Sequence, residues 1–136
     1  MIDWVDTIPS VVFTRIKTEF SQKIKDKYGM TNENFSTKMA NESTAKFPFV
    51  SIRMLPSAEK GNDNEGIEIN AGLFAFQIDV TDNKSQSRAK DVMSEVKRIM
   101  KSMRFISYEI PNFDNSQDVN RMTARFRRSI GKSDVI

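Results

Sequence analysis

The residues of this 136-residue chain best placed to do chemistry are acids and arginines, because the sequence contains no histidine and no cysteine. Their absence removes the usual general base near neutral pH, thiol nucleophiles, disulfides and cysteine-bound zinc. Serine-hydrolase triads and most transition-metal sites go with them. Carboxylate or lysine chemistry remains. Asp63, Glu65 and Glu68, beside Asn62 and Asn64, have the donor types of a calcium loop but neither the spacing nor the flanking helices of an EF-hand, so they read as a solvated loop. Asp79 and Asp82 flank a strand end, where capping of the next helix accounts for Asp82. The five glycines, Gly29, Gly61, Gly66, Gly72 and Gly131, are scattered and form no phosphate-binding loop. No acidic pair clusters as a carboxylate enzyme requires. The expectation is therefore a protein that is not an enzyme and holds no metal or cofactor.

The polar feature that stands out is cationic: Arg121, Arg125, Arg127 and Arg128 in "VNRMTARFRRSI". Met122, Ala124 and Phe126 alternate with Arg121, Thr123, Arg125 and Arg127, which is the period of a strand with one apolar and one basic face. Such a face can discourage aberrant strand pairing, meet an acidic neighbouring subunit, or meet nucleic-acid phosphates. A base-stacking surface is not supported, since the sole interleaved aromatic, Phe126, points the other way. The net charge of +3, with a pI near 9.2, is mildly basic; it suits a polyanion partner or simple solubility and decides nothing by itself.

The elements that must position these residues follow from periodicity. Pro9–Tyr28 is predicted as the first helix, with Val12, Ile16, Phe20 and Ile24 on one stripe, Pro9 in its first turn and Gly29 just past its end. Residues 1–8 form an N-terminal arm whose Ile2, Trp4 and Val5 pack beneath that helix or against a partner. "FSTKMANE" is a weak strand and "FPFVSIRML", Phe47–Leu55, a stronger one with Pro48 at its entrance. Residues 56–66 are polar and rich in turn formers and read as an exposed loop. From Lys84 to Met103, Ala89, Val92, Met93, Val96, Ile99, Met100 and Met103 mark a strongly amphipathic helix, capped by Asp82 or Asn83. Phe105–Ile110 and Val119–Ile130 form a closing hairpin, and residues 131–136 a polar tail. The expected fold is a single α+β domain: a mostly antiparallel sheet of four to five strands with two helices on one face.

One stretch departs from this scheme. In "GIEINAGLFAFQIDVTDN", Ile67, Ile69, Ala71 and Leu73 share one side of a strand, whereas Phe74, Phe76, Ile78 and Val80 share the other. A bulge near Ala71 and Gly72 would bring both sets to one core. Alternatively, the Ile67–Ala71 arm extends past the core and is covered by another copy. No apolar run approaches the roughly 20 residues that cross a bilayer, and the N-terminus lacks the basic and apolar regions of a signal peptide. A cytoplasmic protein is expected.

In order and spacing the chain resembles the phage tail terminator proteins, also called tail completion or head–tail joining proteins, of long-tailed phages. The resemblance lies in the "FP-V-I" strand, "EINAGLFAFQIDVTDNK" entering a helix of the type "A…M..V..IM", the aromatic Phe105 just after it, and the closing "VNRMTARFRRSI". It implies a six-membered ring of identical subunits on the head-proximal end of the tail tube, which stops tube polymerisation and gives the head its attachment surface. The implied partners are further copies of the chain, the tail tube protein and a head-completion or connector protein, with DNA passing nearby, no membrane, and a place in the virion after assembly in the host cytoplasm. Ile67, Ile69 and Leu73 then become candidates for the subunit or tube interface, and Arg121, Arg125 and Arg127 for a channel-facing or inter-subunit stripe. Another connector component, such as a head-closure or adaptor protein, and a small DNA-binding regulator are the alternative readings.

Overall fold

A computed structural model of the protein describes residues 4–38, 46–62, 69–108, 112–114 and 119–136, with side chains left undescribed at 56–62, 69–71 and 112–114. The elements run α1 (Trp4–Glu19), α2 (Gln22–Tyr28), β1 (Phe35–Ser36), β2 (Phe49–Asn62), β3 (Ile69–Asp82), α3 (Gln86–Ser102), β4 (Ile106–Ser107), β5 (Asn112–Asp114) and β6 (Asn120–Gly131). The strands form one sheet in the order β1-β2-β3-β6-β4, with β5 on the same outer edge of β6 as β4. It is thus five strands across, antiparallel except where β1 lies parallel to β2. The α+β expectation holds.

Helices α1 and α3 pack together against one face of the sheet. Ile8, Val12 and Ile16 of α1 and Ala89, Val92, Met93, Val96, Ile99 and Met100 of α3 meet Val50, Ile52, Phe76, Ile78, Val80, Ala124 and Phe126 from the strands. Each large side chain buried in this layer contributes about 1.5–3 kcal/mol.

The predicted first helix is two helices. Helix α1 starts at Trp4, five residues before Pro9, so the N-terminal arm is helical from Trp4 onward and Pro9 lies inside the helix. The Trp4 ring packs edge-on against Phe74 at 5.9 Å, and the Thr7 hydroxyl donates to the Trp4 carbonyl, which together anchor the early start. The chain breaks at Phe20–Ser21, where Phe20 turns inward to meet the Phe35 ring at 5.3 Å. Gly29 ends α2 in the left-handed conformation, φ 66°, as its position predicts.

The residues expected as a loop after Leu55 continue as β2 to Asn62. Pairing with β3 overrides their turn-rich composition. The one-residue irregularity lies here: three steps from Leu55 to Ala58 on β2 oppose two from Ala75 to Leu73 on β3. The expected bulge near Ala71 and Gly72 is absent, for β3 runs unshifted against β6 from Ala71↔Gly131 to Asp82↔Asn120. Gly72 instead occupies a core-facing position opposite the buried Ile130, and a Cβ there would come within 2.9 Å of the Phe74 ring. Glycine gives that ring its space.

Ser85, not Asp82 or Asn83, caps α3 by accepting from the Arg88 amide at 3.1 Å. The buried Asp82 accepts from the Lys84 and Ser85 amides at 3.0 and 2.8 Å and so shapes the turn ahead of the helix. The closing hairpin reduces to two short strands on β6, β4 and β5. The final residues turn back toward α1: the Gly131 amide donates to Asp134, and Arg15 donates to the Ile136 carbonyl at 2.6 Å.

Candidate interaction face

The sheet face turned away from the helices is built from three strands in register. Its rows are Phe49–Thr81–Arg121, Ser51–Asp79–Thr123, Arg53–Gln77–Arg125 and Leu55–Ala75–Arg127. Strict alternation along β2, β3 and β6 puts these side chains opposite the core set. A connected set of polar side chains lies here.

Asp79 is its centre. It is 2% exposed although, among the described residues, no helix covers this face. A buried carboxylate is costly unless donors surround it. Three do: the Thr123 hydroxyl at 2.5 Å, the Gln77 amide at 3.2 Å and the Arg53 guanidinium at 3.3 Å. The Gln77 oxygen in turn accepts from Arg125 Nε at 3.0 Å. One carboxylate thereby ties β2, β3 and β6 together and fixes the directions of two arginines. Ser51 and Thr81, buried beside it, complete the polar half of the face.

The other half is mixed. Leu55, Ala75 and Leu73 are half-buried, and Arg127 is exposed with its guanidinium 5.1 Å above the Tyr108 ring. Arg121, Arg125 and Arg127 therefore share one face, joined by Arg53, which sequence alone did not connect to them. Arg53 was recognisable only as a polar position in an alternating strand; its neighbours depend on register. Arg128 does not belong to the stripe. It points to the helix side, where it donates to the Met103 carbonyl at 2.9 Å and complements the C-terminus of α3. Arg53 Nε and Arg121 Nε are buried donors with no hydrogen-bond partner among the described residues.

The predicted interface residues are partly placed. Leu73 lies on this face, opposite Ala58 and Ser129; Ile69 opens β3 opposite Asn62, with its side chain undescribed; Ile67 lies outside the described residues, as do Asp63, Glu65 and Glu68. Among the described residues no group of three acidic side chains is disposed to hold a metal ion, and no helix is long and apolar enough to cross a membrane.

A second polar cluster surrounds the start of α3. A cleft of about 310 Å³ is lined by Lys27, Tyr28, Phe47, Asn83, Lys84 and Arg88. Arg88 stacks 5.1 Å over the Tyr28 ring and lies 3.4 Å from Asp82. The Tyr28 hydroxyl donates to Asp91, and that bond, with burial and the Asp91 charge, raises the phenol above its usual pKa. Carboxylates of the chain itself already fill the positions an external anion would take.

No model of a known protein family matches the chain, and no curated protein matches it.

Proposed function

We propose that the protein is a structural subunit of a phage tail, one that closes into a ring of six copies on the head-proximal end of the tail tube. The ring ends tube polymerisation and presents the surface to which the head, through its connector protein, attaches. The observation that supports this best is the sheet face opposite the described helices, where a buried Asp79 clamps three strands and aims arginines outward from a rigid plane. A preset charged surface of this kind suits a subunit that works by fitting against neighbours. Each copy would have to present two different patches, one to each adjacent copy.

The test is electron microscopy of lysates from the encoding phage with an early stop codon in this gene. Headless tails of irregular, excessive length beside separate DNA-filled heads are expected. Intact virions with tails of normal length would overturn the proposal.

A further inference from the structure

We infer that the groove between α3 and β4 receives an acidic segment of a different protein, one that seats a large apolar side chain beside two lysines. The inference stands on this groove alone and goes beyond the tail reading, which does not use it.

The groove follows from the way α3 ends. The Phe105 amide donates to the Met100 carbonyl at 3.0 Å, which turns the chain from the helix into β4. The turn buries Phe105, whose ring packs edge-on against Phe76 at 5.6 Å. Phe105 and the buried Phe126 of β6 give the groove an apolar floor, and Lys97, Lys101, Ile106 and Ser107 complete a space of about 260 Å³. Small-molecule pockets span roughly 300–1,000 Å³. The smaller space suits one large side chain of a polypeptide. Ile106, 60% exposed and level with Arg127 on β6, carries apolar surface around the sheet edge.

The charge beside the groove is one-sided. With about 3.6 residues per turn, the polar positions of α3 divide into two flanks. Its acids, Asp91 and Glu95, fall on the flank toward α1 and α2, where Asp91 accepts from Tyr28 and Glu95 pairs with Arg98. Lys97 and Lys101 lie on the flank toward β4, exposed and without an ion pair or hydrogen bond among the described residues. The nearby helix C-terminus accounts for Lys101. It does not account for Lys97 one turn earlier, where like charges at this spacing repel. Lysine stems can line an apolar hollow while their ammonium groups stay in water, so an occupant with an apolar anchor and flanking carboxylates matches both halves of the site.

Other occupants match less well. A nucleic-acid backbone has no use for the hollow, and an anionic bilayer is held by larger basic clusters. A second copy offers little negative charge: of the acids whose side chains are described, only Asp6 lacks a partner in its own chain.

The test begins with a random peptide library selected on the intact protein. Binders carrying Asp or Glu around a single Leu, Ile, Phe or Met are expected. A synthetic peptide of the selected sequence, titrated into isotope-labelled protein, should shift the NMR amide signals of Lys97, Lys101, Ile106 and Ser107 saturably. Lys97→Glu combined with Lys101→Glu should weaken binding several-fold, as should serine in place of the peptide's apolar residue. If the paired glutamates lower the melting temperature by opposing the helix end, Lys97→Gln with Lys101→Gln is used, and a smaller loss of the same sign is expected. No enriched binder, binders without acids, shifts that map elsewhere, or lysine variants that bind as well as wild type would overturn the proposal. The same amides shifting on concentration of the protein alone would assign the groove to a second copy, and their shifting with a DNA duplex or anionic vesicles would assign it to phosphate; either result would also overturn it.

Discussion

Asp79 lies on the sheet face opposite the described helices, and its three donors come from three different strands. Replacing it with asparagine keeps the shape but turns one acceptor oxygen into an NH2 group directed at other donors. The charge-assisted bonds are lost and a buried mismatch takes their place. Because Arg53 is partly solvated, the coupling to it is discounted. Asp79→Asn is expected to destabilise the fold by about 2 kcal/mol, read as a lower urea midpoint with an unchanged slope; an unchanged midpoint would show that the network contributes no stability. Alternation in the sequence already assigned Arg121, Thr123 and Arg125 to one face. It did not reveal Asp79 as their centre, since that depends on which residues of β2, β3 and β6 stand opposite one another, and register is a property of the assembled sheet.

At the scale of elements, α3 was the most legible, because its apolar positions recur at three and four residues without interruption. The break at Ser21 was not legible, since Phe20 fits the helical stripe equally well whether the helix continues or ends there. The extension of β2 past Leu55 was hidden by Pro56, Gly61 and Asn62, whose turn preferences yield to pairing with β3. Helix α3 ends in a Schellman arrangement, with Phe105 N–H donating to the Met100 carbonyl at 3.0 Å and Arg104 N–H to that of Lys101 at 2.9 Å. The residue in the left-handed position is Arg104, φ 65°, not glycine. An L-residue there costs roughly 1–2 kcal/mol, partly offset by the greater freedom glycine has when unfolded. Arg104→Gly is therefore expected to stabilise the protein by about 0.5–1 kcal/mol, seen as a higher melting temperature. A lower one would mean that the exposed Arg104 side chain makes a contact worth more than the backbone strain.

For the whole molecule, the balance of charge bears on what the arginines meet. In a dedicated DNA-binding protein the cationic side chains are directed to phosphate. Here Arg53 is held by Asp79, Arg125 by Gln77, and Arg127 stacks over Tyr108. Affinity for a random duplex, measured by fluorescence anisotropy at physiological salt, is expected to lie in the non-specific range of about 10⁻⁴–10⁻⁶ M. Much tighter binding, abolished by joint alanine substitution of Arg121, Arg125 and Arg127, would favour the regulator reading instead. The outer edge of β2 has its own consequence. Among the described residues β1 pairs with it only at Val50 and Ser51. Beyond them, Pro56 offers no amide hydrogen and the adjacent shift breaks the repeat, so a foreign strand meets two short templates, Ile52–Leu55 and Ala58–Asn62, in place of one long one. An interrupted edge of this kind is a poorer template for edge-to-edge zipping of crowded copies into fibrils than one continuous strand of the same length would be.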